Sequence, residues 1–76
     1  MSNKKSFRKI SVGSDYMNAM HYQVGSFANR KKDLVISDII LDKDEYIVYV
    51  MKDNVCQEWK GFNKSAVCHY EYKLAE

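Results

Sequence analysis

Apolar and polar residues alternate most regularly near the end of the chain. There Ala66, Cys68, Tyr70, Tyr72 and Leu74 fall on one face, and Val67, His69, Glu71 and Lys73 on the other. This period-two pattern predicts a strand with one side buried. Upstream, Leu34 to Leu41 is apolar and rich in β-branched residues, interrupted by Ser37 and Asp38, and Asp42-Lys43-Asp44-Glu45 reads as its turn. Tyr46 to Met51 is apolar on both faces and predicts a central strand covered by a helix or a second layer. Asp53-Asn54 is a two-residue hairpin candidate, because both residue types tolerate a left-handed backbone, and it leads into a strand from Val55 to Lys60. Gly61 to Lys64 then reads as the turn into the last strand.

The first third is less regular. Phe7 to Val12 alternates weakly, with Phe7, Lys9 and Ser11 opposite Arg8, Ile10 and Val12, and Gly13 breaks the run. Ser14 as N-cap, Asp15 in the first turn, and Tyr16, Met17, Ala19 and Met20 at helical spacing predict a short helix ending at Tyr22. Gly25-Ser26 ends that segment, and Asn29 to Asp33 reads as a polar connection. The fold expected is α+β and mainly β: an antiparallel meander of about five strands, open or curled into a small barrel, with one short N-terminal helix. Residues 1–6 are expected to be a disordered basic tail, and 7–76 a single β-rich domain.

At 76 residues the core is thin, so a partner or a second copy of the chain would add stability. The apolar fraction of 46% is that of a folded domain. Neither a secretory apolar stretch nor a membrane-length run is present, so a cytoplasmic protein with reduced thiols is expected, without a membrane partner. Cys56 and Cys68 lack the spacing of a zinc or redox pair and read as core thiols.

The formal charge of +2 conceals a polarity along the chain. Through Lys32, seven basic residues stand against Asp15 alone; from Asp33 onward, nine acids stand against five lysines. Lys4, Lys5, Arg8, Lys9 and the run Arg30, Lys31 and Lys32 are therefore candidate phosphate contacts.

Catalytic chemistry is not indicated. His21 and His69 have no sequence pattern of partners, no glycine-rich phosphate loop is present, and Asp42, Asp44 and Glu45 lack the glycine and downstream glutamate of a calcium loop. No metal, cofactor or catalytic residue is expected. A binding role fits better. Trp59 lies between Glu58 and Lys60 and precedes Gly61-Phe62-Asn63-Lys64, an aromatic, cationic and amide group suited to a partner's anchor side chain or to a base. Trp59, Phe62, Lys60, Tyr22 and His69 are the candidate partner-binding residues.

Asn18-Ala19-Met20-His21-Tyr22-Gln23-Val24-Gly25, Glu58-Trp59-Lys60-Gly61-Phe62-Asn63 and His69-Tyr70-Glu71-Tyr72 together resemble segments of small accessory (early) proteins of T-even-like bacteriophages. The resemblance implies a non-enzymatic protein of the host cytoplasm that occupies a host protein as inhibitor or adaptor, for example a defence or transcription component, or that sequesters a signal molecule. It assigns no role to any single residue. The alternative is a nucleic-acid or nucleotide binder, in which the basic residues hold phosphates and Tyr22, Trp59 or Phe62 stack on bases.

Overall fold

The computed structural model describes residues 5–73. They form one antiparallel sheet of six strands: β1 (Lys5–Val12), β2 (Met20–Gln23), β3 (Val35–Asp42), β4 (Glu45–Lys52), β5 (Val55–Asn63) and β6 (Val67–Tyr72). The strands β3, β4 and β5 are the expected meander, joined by two-residue loops. In the second loop, Asp53 and Asn54 hold φ values of 52° and 65°, the left-handed pair that matches the twist of a tight hairpin.

β1 organises the remainder. One of its edges pairs with β6. The other is shared, Lys5 to Phe7 pairing with β3 and Lys9 to Val12 with β2. Beyond β2 the chain crosses to β3, where Gly25 N donates to Ile36 O and Phe27 bridges Val35. The segment from Met20 to Phe27 is thus wedged between β1 and β3 as they diverge.

The sheet is curled. Tyr22 of β2 stacks on Phe62 of β5, and Tyr46 of β4 meets Tyr70 of β6, contacts between strands that are not hydrogen-bonded neighbours. The inner face buries Phe7, Ile10, Tyr22, Ile36, Ile39, Tyr46, Val48 and Val50. Among the described residues β5 pairs only with β4 and β6 only with β1, so the curl does not close into a barrel.

Several expectations are corrected. No α-helix forms among the described residues; the segment expected to be helical contains a single 3-10 turn, Tyr16–Asn18, capped by Asp15 rather than Ser14, and then β2. Local helical spacing loses to cross-strand pairing: Met17 and Met20 face solvent, and Tyr22 alone reaches the core. There are six strands rather than about five, and β6 returns beside β1 instead of extending the meander past β5. The strand β5 runs through Gly61 to Asn63, and the turn falls at Lys64–Ala66.

β1 starts at Lys5, two residues before the pattern placed it, while residues 1–4 of the expected tail lie outside the described residues. A register shift between Phe7 and Lys9 breaks its simple alternation, so that Phe7 and Ile10 both point inward. A similar shift between Ile36 and Asp38 explains the polar interruption at Ser37-Asp38, with Ile36 and Ile39 both buried. Finally, Cys56 and Cys68 are free, exposed thiols rather than core residues, because both sit on strands that form sheet edges.

Candidate functional site

Two surfaces gather chemistry-bearing side chains. The first lies along β5. A register shift between the pairs Val48–Lys60 and Tyr49–Glu58 makes Trp59 the extra residue of a β-bulge. The bulge turns its indole against the core, where Tyr22 meets it edge-on at 5.8 Å, while Tyr22 stacks on Phe62 at 5.2 Å. The ammonium of Lys60 lies 4.9 Å from the Trp59 ring, a cation–π contact on the exposed side.

Four of the five expected partner-binding residues, Trp59, Phe62, Lys60 and Tyr22, are therefore brought together. Their exposure differs. Trp59 and Phe62 are half-buried and Lys60 is open, but Tyr22 is only 9% exposed, and burial pushes its phenol above the ordinary value. Tyr22 supports the aromatic pair from beneath and does not offer a contact face. His69 is not part of this group; it lies on the outer face of β6, opposite the inward Tyr70.

The second surface is the outer face of β2, β1 and β6. Ser11 of β1 is paired directly with His21 of β2 on one side and His69 of β6 on the other. The Ser11 hydroxyl lies 2.7 Å from His21 Nδ1. Above this row sits Tyr16, delivered by the connection between β1 and β2, with its ring centre 4.7 Å from that of His21 and 5.0 Å from that of His69. Lys9 Nζ donates to the Tyr16 hydroxyl at 2.8 Å. Glu71 receives Arg8 Nε at 2.9 Å and pairs with His69 Nε2 at 3.3 Å, and these donors, Arg8 foremost, hold its carboxyl below the ordinary range.

Under this cover Ser11 is completely buried although it points away from the core. Sequence reasoning missed Ser11, Tyr16 and Glu71. The signal was there only in part: His69 and Glu71 alternate outward, but the register that sets both histidines against Ser11 is a property of the topology.

The candidate phosphate contacts do not converge on one groove. Lys5, Arg8 and Lys9 lie on β1, with Arg8 engaged by Glu71, whereas Arg30, Lys31 and Lys32 are exposed on the connection between β2 and β3. Lys4 lies outside the described residues. A hollow lined by Asp44, Asn63, Lys64 and Ser65 is stitched by its own contacts, with Asn63 Oδ1 accepting from both the amide and the hydroxyl of Ser65.

Among the described residues, no group of three histidine, cysteine or acidic side chains is placed to hold a metal, and no helix is long and apolar enough to cross a membrane. No protein-family model, curated protein or solved structure matches the chain.

Proposed function

We propose that this protein is a non-enzymatic binding module that occupies a host protein along the open edge of β5, as inhibitor or adaptor. The observation that carries this reading is that, among the described residues, nine-residue β5 pairs only with β4, leaving a row of backbone donors and acceptors beside the half-buried Trp59 and Phe62. An extended segment of a partner can add to such an edge, with main-chain hydrogen bonds giving affinity and side-chain contacts giving specificity. Tryptophan on a rigid support is a common energetic anchor of interfaces, and Tyr22 supplies that support. Exposed Val55 extends the apolar contact towards the hairpin. The resemblance to phage accessory proteins agrees with a host protein as the partner.

A continuous nucleic-acid groove along the basic half has less support, because Lys5, Arg8 and Lys9 lie on β1 and the Arg30 to Lys32 run lies on a separate connection.

Affinity capture from bacterial lysate, with and without nuclease, tests the reading when wild type is compared with Trp59→Ala. One stoichiometric protein, retained after nuclease and lost by a variant that keeps its β-sheet circular dichroism, is expected. Equal capture by both proteins, or recovery of nucleic acid or nucleotide without protein, would overturn it.

A further inference from the structure

The outer-face cluster is independent of β5 and has its own chemistry. Tyr16 occupies a space walled by the two imidazoles, with the Lys9 ammonium 5.2 Å from its ring centre. The floor is Ser11, whose hydroxyl is fully removed from solvent yet faces the outer side of the sheet. The rim carries Arg8 and Glu71.

The charges decide which ligand such a space would take. Two permanent cations, Arg8 and Lys9, stand beside the carboxylate of Glu71, which is itself shared between Arg8 and His69. A metal cation would meet Lys9 at close range. A nucleophilic role for Ser11 would ask for a group orienting His21, but the nearby carboxylate is held by His69, on the far side of β1. What the cluster offers in number is hydrogen-bond donors: a hydroxyl, an ammonium, a guanidinium and imidazole N–H groups, the set that recognises a phosphate-type oxyanion.

The cover is built to be distinct from the floor. Tyr16 stands on a three-residue 3-10 turn, itself 46% exposed, and adjacent Met17 contributes nothing to the core. The base of this connection is fixed, with Gly13 N bonded to Ala66 O and Gly13 packed against Ala19.

We propose that the Ser11, His21, His69 and Lys9 cluster is a binding site for the phosphate group of a small molecule or for free phosphate, and that Tyr16 is its lid. In the closed form the tyrosine ring fills the site and its hydroxyl takes the Lys9 hydrogen bond. On binding, the oxyanion replaces the phenol as acceptor for Lys9, and Arg8 exchanges part of its contact with Glu71 for the ligand.

Amide chemical-shift titration at constant ionic strength, using inorganic phosphate and adenosine 5′-monophosphate with adenosine as control, tests this. Saturating shifts with inorganic phosphate at Ser11, His21 and His69 are expected. Tighter binding of the monophosphate would identify a phosphorylated small molecule as the source, and equal binding free phosphate. Lys9→Ala should weaken binding about tenfold, the loss of one charge-assisted hydrogen bond. Tyr16→Ala should tighten it, because the lid no longer competes. Shifts that fail to saturate, shifts centred on Arg30 to Lys32, or weaker binding by Tyr16→Ala would overturn the proposal.

Discussion

Ser11 and His21 stand directly opposite one another on β1 and β2, with the hydroxyl oxygen 2.7 Å from Nδ1 and Ser11 fully buried. A buried hydroxyl left without a partner costs about 1–3 kcal/mol, more than the net worth of the bond itself. His21→Ala should therefore destabilise the fold by about that amount. The double variant Ser11→Ala/His21→Ala should be less destabilised than the two single changes added together. Urea unfolding of the four proteins measures this coupling, and strict additivity would show that the bond contributes nothing.

Gly13 marks the start of the connection that carries Tyr16. Its φ is 156°, and a Cβ built there would lie 2.9 Å from the Cα of Ala19, a backbone atom that cannot rotate away. Gly13→Ala should cost roughly 1–3 kcal/mol, the range for a strained backbone position. Because the pairing of β1 with β2 depends on this approach, the amides of Met20 to Gln23 should lose hydrogen-exchange protection before those of β3 and β4. Uniform loss across the sheet would contradict that local origin.

The hairpins and the Tyr16 connection also show where a sequence is legible. Asp53-Asn54 declares its turn through residue chemistry that needs no tertiary context, and β3, β4 and β6 declare themselves as strands through apolar spacing, although the Cys68, Tyr70 and Tyr72 side that the spacing marks for burial is exposed on this edge strand. The segment from Ser14 to Tyr22 misleads, because Tyr16, Met17, Ala19 and Met20 have helical spacing but no surface to bury against. Its true partner is β1, a neighbour that only the global pairing supplies. Similarly, the Trp59, Lys60 and Phe62 group was legible because it is contiguous on one strand. The grouping of Ser11 with His21 and His69 was not, since their spacing of ten and 58 positions carries no periodicity.

Asn54 tests the hairpin chemistry. With φ at 65°, it sits where glycine has no steric penalty, and Asp-Gly is among the preferred pairs for a two-residue loop of this hand. Asn54→Gly should leave stability unchanged or raise it by up to about 0.5 kcal/mol, since relief of strain is partly offset by the greater freedom of glycine in the unfolded chain. Asn54→Val should lower it by about 1–2 kcal/mol, because a β-branched side chain opposes the left-handed backbone. Thermal unfolding separates the two changes, and a stabilising valine would refute the turn assignment.

Trp59 separates anchoring from folding. The indole is half-buried, so Trp59→Ala should cost roughly 2 kcal/mol, less than the about 3–5 kcal/mol of a fully buried aromatic. Phe7→Ala, at the centre of a cluster with Tyr46, Tyr70 and Tyr72, should reach that upper range. Comparable losses for the two variants in urea unfolding would mean that Trp59 is a core residue, and its part in partner binding would then be indirect.

The acid limb of stability should report on Glu71. Hydrogen bonds from Arg8, and secondarily from His69, hold its carboxyl below the ordinary value of 4.5. A carboxyl that is more acidic in the folded than in the unfolded chain contributes stability that is complete above the unfolded value. That contribution disappears as the pH falls through the folded value, where Glu71 takes up a proton and releases Arg8. Asp33 behaves in the same sense, its carboxyl lowered first by Asn29 and then by Lys52. Glu71→Gln should therefore flatten, and Glu71→Gln/Asp33→Asn flatten further, the fall in the urea midpoint between about pH 6 and about pH 3. Both carboxylates lie near the surface, so added salt should shrink the effect. An identical acid profile for wild type and double variant would show that these pairs do not contribute to stability in solution.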